Sequence, residues 1–118
     1  MEQYRSKINI TLKKQLVLTL AQTLVDIQDV DEAVTLLNDF LSEREKERLA
    51  VRLGVAYWLK KKRDKNNIKR NLQVTSSQIS RIEKIMNTKG VRLAIKKIEA
   101  EEWANVWETR IKKLVQKK

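Results

Sequence analysis

Ser76, Ser77, Gln78 and Arg81 stand close together in the sequence, just after Thr75 and just before Lys84. Their chemistry is that of reversible recognition. Serine and threonine hydroxyls donate to phosphate oxygens or base edges and are small enough for close approach. A glutamine amide matches the two-atom edge of adenine and a guanidinium that of guanine, each pair discriminating by ~1–3 kcal/mol. Lys65, Lys69, Arg70, Thr75 and Lys84 surround this group with cations and a hydroxyl suited to phosphate. Bond-making chemistry has little to work with. The chain contains no Cys and no His, which excludes thiol and Ser/His nucleophiles, disulfides, haem ligation and the usual zinc sites. Its carboxylate clusters, Asp29/Asp31/Glu32 and Glu101-Glu102, fall where helix capping or a helix surface explains them. No catalytic residue, no metal and no enzymatic activity are expected.

The charge balance points the same way. In 118 residues, 26 Lys+Arg face 15 Asp+Glu, a net charge of +11. The excess is local: Lys60 to Ile98 holds 13 basic and 2 acidic residues, while the flanking segments are nearly neutral. A concentrated excess implies a face for a polyanion. Lys60 to Arg63 would add sequence-independent attraction to a nucleic acid backbone. The most apolar stretch, Leu16 to Val25, is too short to span a bilayer, and the N-terminus lacks a signal-peptide core. A soluble cytoplasmic protein without membrane contact is expected.

These side chains need helices to hold them. With no Pro and two Gly, the chain lacks the turn-formers of a β-sandwich or barrel. Leu12, Leu16, Leu20 and Leu24 mark a first helix. Asp29-Val30-Asp31 offers the cap of a second, with Val30, Ala33, Val34, Leu37, Phe40 and Leu41 on its apolar side. Ser42 and Glu45 fit a capping box before a third helix, whose predicted core stripe is Leu49, Leu53, Ala56 and Leu59. Asp64 caps a short fourth helix, and Thr75 to Gln78 forms a second capping box before the fifth. Asn87 to Gly90 supplies a stop. A last helix from about Val91 to the C-terminus carries Ile95, Ile98, Trp103, Val106, Trp107, Ile111 and Leu114, with Trp103 and Trp107 as packing anchors. The reading is all-α, about six helices, in a single domain over 1–118.

Between Lys65 and Lys84 the offsets of Ile68, Leu72, Val74, Ile79 and Ile82 are those of two short helices crossing at a steep angle. That is a helix-turn-helix at 65–87, with Ser76, Ser77, Gln78 and Arg81 facing bases and Lys65, Lys69, Arg70, Thr75 and Lys84 facing phosphates. Lys69 stands near the crossing where a small residue is usual. Gln73 stands in the turn where glycine commonly supplies a left-handed backbone.

Three segments in order resemble the Trp repressor family. Leu41-Ser42-Glu43-Arg44-Glu45 resembles its helix-starting Leu-Thr-Pro-x-Glu, and Ala50 to Ala56 its Ala-x-Arg-Leu-x-Ile-Ala. Leu72 to Arg81 resembles Leu-Gly-Val-Ser-x-x-Thr-Ile-Ser-Arg. The resemblance implies an intertwined homodimer, with dimerisation helices at 1–41, reading a two-fold symmetric operator. It also places Arg52 and Arg81 at the two arginines that flank the indole of bound L-tryptophan, the family's co-repressor. The next residue in the family is a glycine that leaves room beside the ligand; here it is Ile82. Ile82 is expected to fill that space, which disfavours tryptophan and leaves an unknown effector or none; no cofactor is expected. The long helix at 91–118 departs from the family's shorter closing helix.

Taken together, the sequence predicts a sequence-specific double-stranded DNA-binding transcription regulator, a repressor. A basic helical RNA- or ribosome-associated protein, or a protein-interaction module working through the last helix, are the alternatives.

Overall fold

The computed structural model describes the backbone of residues 7–103 and the side chains of residues 7–101. Among the described residues there are six helices and no strand: α1 (Ile10–Asp26), α2 (Val30–Phe40), α3 (Glu43–Lys60), α4 (Lys65–Leu72), α5 (Ser76–Ile85) and α6 (Lys89–Trp103). The all-α architecture matches the expectation. The expectations for the Trp103 side chain, Val106, Trp107, Ile111 and Leu114 lie outside the described residues.

The caps form as the short polar side chains dictate. Asp29 accepts the amide of Glu32 at 2.8 Å, and Glu32 Oε1 accepts the amide of Gln28 at 3.0 Å. Ser42 and Glu45 close a reciprocal box at 3.1 and 2.8 Å. Asp64 accepts the amide of Asn67 at 3.1 Å. Each satisfies amide groups that a helix start leaves unpaired. The stop expected at Asn87–Gly90 forms differently. No glycine has a positive φ, and Gly90 lies inside the first turn of α6. The carbonyl of Ile85 instead accepts both the amide (3.0 Å) and the hydroxyl (2.7 Å) of Thr88. Thr88, within the expected stop, thus closes the end of α5.

The chain divides into two compact units, one ending at Lys46 and the other starting at Glu47. In the first, α1 and α2 contain no buried residue. Leu12, Leu16, Leu20 and Leu24 are all about half exposed, and Phe40 is 81% exposed. Apolar side chains occupy more than half the circumference of α1, a pattern typical of a helix buried on most sides.

The second unit holds the core. Val55, Ala56, Ile68, Val74, Ile79, Ile82 and Ile95 form one buried cluster, with Val51, Trp58, Leu59, Leu72, Met86 and Val91 packed against it. Of the expected stripe on α3, Ala56 and Leu59 belong to this cluster and the first half is corrected. Leu49 and Leu53 are exposed, while three consecutive residues, Val55, Ala56 and Tyr57, are buried. Successive helix positions lie 100° apart, so the end of α3 is covered around most of its circumference. Close packing extends to Gly54, where an added Cβ would touch Leu72 Cδ1 at 3.4 Å.

Both ends flanking α4 are closed by non-glycine residues in the left-handed region, Lys62 (φ 60°) and Gln73 (φ 55°). After α4 the amide of Val74 reaches back to the carbonyl of Lys69 at 3.2 Å, a closure that normally employs glycine. The left-handed conformation costs a side-chain-bearing residue about 1–2 kcal/mol. Gln73 recovers part of this by donating Nε2–H to the carbonyl of Arg70 at 2.8 Å. Gln73→Gly is therefore expected to stabilise the unit by about 0.5 kcal/mol and raise the thermal midpoint by roughly 2–4 °C, read by calorimetry.

Candidate nucleic-acid interface

The interface is built on a small apolar core. Ile68 of α4, Val74 of the turn, and Ile79 and Ile82 of α5 are all buried, with Leu72 half-buried beside them. Three residues, Gln73 to Thr75, connect α4 to α5. The left-handed Gln73 turns the chain sharply enough for that short link. Thr75 then opens α5 with a complete capping box: its hydroxyl oxygen accepts the Gln78 amide at 3.1 Å, and Gln78 Oε1 accepts the Thr75 amide at 2.8 Å.

Ile79 and Ile82 fix which way α5 faces. The positions opposite them, spaced three and four apart, are Ser77, Ser80, Arg81 and Lys84. All four are exposed. They form an outward stripe of two hydroxyls near the helix start and two cations further along. Ser80 belongs to this stripe although it was not among the predicted contacts. Its signal was its spacing from Ser77 and Lys84 on the face opposite the isoleucines.

The other predicted base-facing residues are placed differently. Ser76 is exposed beside the stripe. Gln78 is exposed, but its amide oxygen is engaged in the capping box. To present both amide atoms to adenine it must leave that bond. The Thr75 hydroxyl oxygen accepts from the backbone, which leaves its proton available to donate.

Among the predicted phosphate contacts, Arg70 and Lys84 are exposed and Lys69 is half-buried. A long lysine at a half-buried place can cover apolar surface with its stem and keep its ammonium in water. Lys65 is engaged: its Nζ lies 2.7 Å from a carboxylate oxygen of Glu83, both side chains being partly exposed. This pair ties the beginning of α4 to the last turn of α5. It also places a negative charge on the helix that should approach DNA. Glu83→Gln is expected to release Lys65 and remove that repulsion. Affinity for random duplex should rise several-fold, and the slope of log affinity against log salt should steepen by about 0.9 for each protomer on the duplex. The fold should lose less than ~1 kcal/mol.

Arg52 and Arg81, the two residues expected around an effector, are both exposed. Ile82, beside Arg81, is only 7% exposed and belongs to the buried cluster. Among the described residues no polar or charged side chain is buried.

The α3–α4 corner adds a second basic feature. The guanidinium of Arg63 lies 4.1 Å from the centroid of the Trp58 ring, and Lys61 Nζ lies 5.8 Å from that of Tyr57. Both distances are within cation–π range.

No helix among the described residues is long and apolar enough to cross a membrane. Compared with known families, residues 15–98 match the family described as Trp repressor protein. No similar curated protein and no similar solved structure was found.

Proposed function

Because the chain belongs to the Trp repressor family of helix-turn-helix DNA-binding regulators, we propose that it is a homodimeric repressor that reads a two-fold symmetric operator. One observation carries the reading. The buried Ile68, Val74, Ile79 and Ile82 aim an outward stripe of Ser77, Ser80, Arg81 and Lys84 away from the core, in the one strongly basic stretch of the chain. A recognition helix enters the major groove by its N-terminal residues, and here those are small hydroxyls followed by an arginine. Ser76, Ser77, Ser80 and Arg81 face bases in this reading, and Gln78 joins them once it leaves its box. Thr75, Lys69, Arg70 and Lys84 hold phosphates, and Lys65 does so on release from Glu83.

The exposed apolar faces of α1 and α2 support dimerisation in this reading. A second copy of the chain would cover Leu16, Leu20, Leu24 and Phe40, which stay exposed among the described residues. Two copies also supply two recognition helices, as a palindromic operator requires.

The regulator works without L-tryptophan in this reading. Ile82 fills core volume where the family keeps a glycine beside the indole, and making room would require moving a packed side chain. Calorimetry with L-tryptophan is expected to give no heat of binding; micromolar binding that raises operator affinity would refute this point.

Arg81→Ala tests the recognition helix. It should reduce operator affinity by about 5- to 150-fold and flatten the preference between bases, the equivalent of ~1–3 kcal/mol. Arg70→Ala should weaken all duplexes alike. If Arg81→Ala leaves both affinity and preference unchanged, the assignment fails.

A further inference from the structure

Four cations follow one another at the α3–α4 corner: Lys60, Lys61, Lys62 and Arg63. Like charges in sequence repel, yet the corner is tightly closed. The amide of Lys62 donates to the carbonyl of Leu59 at 2.9 Å, and that of Arg63 to the carbonyl of Trp58 at 3.0 Å. This paired closure ordinarily has glycine at the left-handed position and an apolar contact between the residues at its two ends. Here Lys62 takes the glycine's place at φ 60°. The end-to-end contact is Arg63 stacked on Trp58 at 4.1 Å. Arg63 Nη1 also donates to Asn67 Oδ1 at 3.2 Å, fastening the corner to α4.

The four cations therefore divide into two kinds. Arg63 and Lys61 lie over the aromatic rings of α3. Lys60 and Lys62 are exposed at the turn. Nothing in the fold calls for lysine at Lys62, since glycine would adopt the same backbone with less strain. The turn thus holds a strained backbone and concentrated positive charge in one place.

Its position separates it from the start of the recognition helix. The eight residues of α4 span about 12 Å between this corner and the cations of its last turn, Lys69 and Arg70. The Lys65–Glu83 pair sets the beginning of α4 beside the last turn of α5, not beside Thr75 at its start. We propose that the α3–α4 corner is a second contact with the phosphate backbone of duplex DNA, apart from the base-facing start of the recognition helix. Lys60 and Lys62 supply the charges, and Arg63 is a positioning residue braced on Trp58. This rests on the reading of the protein as a duplex-binding regulator.

The test compares the full-length protein with Lys60→Gln/Lys62→Gln, Arg63→Gln and Arg63→Lys. Each is titrated with a duplex across a salt series, and with a hairpin RNA of equal charge. The double variant should reduce the slope of log affinity against log salt by about 1.8 for each protomer on the duplex, two contacts at 0.9 each, without reordering the duplexes by preference. Arg63→Lys should weaken binding nearly as much as Arg63→Gln, because an ammonium keeps the charge but loses the planar stack. An unchanged slope in the double variant, in a parent that binds duplex, overturns the corner and leaves the proposed function standing. Full rescue by Arg63→Lys overturns the positioning role. Losses confined to the RNA overturn the choice of DNA, and a parent that binds no duplex overturns both readings together.

Discussion

Ile68→Ala is expected to destabilise the second unit by about 2–5 kcal/mol, the range for truncating a buried isoleucine. Ile68 is 0% exposed and sits at the centre of the cluster that joins α3, α4, α5 and α6. Three carbons removed there leave a cavity that several helices would have to close together. A domain of this size has a total stability of about 5–15 kcal/mol, so a substantial share of it would be lost. The orientation of α5 depends on the same cluster through Ile79 and Ile82. Duplex binding should therefore fall with the unfolded fraction and recover on cooling or with stabilising osmolytes. Chemical denaturation read by circular dichroism gives the free energy directly. A control at exposed Leu93 should change stability by less than about 0.5 kcal/mol. A loss under 1 kcal/mol for Ile68→Ala would mean that this cluster does not hold the helix-turn-helix together.

The second large effect is electrostatic. If two copies together neutralise roughly 6–10 phosphates, duplex affinity should fall ~10³–10⁵-fold between 50 and 200 mM salt. The cations that would do so all belong to the stretch between Lys60 and Ile98, where 13 basic residues meet 2 acidic ones. Fluorescence anisotropy with a labelled duplex gives the slope. Heparin should compete, since it offers the same charge density without bases. A fall of less than tenfold over that range would show that the basic stretch is a solvated surface and not a phosphate-binding face.

Much of this was legible in the sequence because local rules and tertiary packing agreed. Asp29, Ser42, Asp64 and Thr75 cap helices as their types and spacing indicate, and Ile68, Val74, Ile79 and Ile82 are buried at the offsets of a helix-turn-helix. The phase of α3 was not legible. Its sequence has apolar residues on several faces, Leu49 and Leu53 on one and Val51, Val55 and Trp58 on another. Periodicity cannot choose between them; the packing of the neighbouring helices does. The double use of Gln78 was half visible. Its spacing from Thr75 announced the capping box, and its amide suggested adenine, but only geometry shows that the oxygen is already engaged. The Lys65–Glu83 pair links residues 18 apart across two helices, a contact that exists only once the turn at Gln73 has formed. The stacking of Arg63 on Trp58 is likewise a product of the left-handed closure at Lys62, which no propensity scale favours for lysine.

Selection of bound duplexes from a random pool tests the central claim most directly. Two recognition helices related by a two-fold axis should enrich a palindrome, its half-sites spaced by about one helical turn or a multiple of it. Arg81→Ala should lose preference at one symmetric pair of positions within it. A pool that returns no common sequence, or a common sequence without two-fold symmetry, would contradict the account.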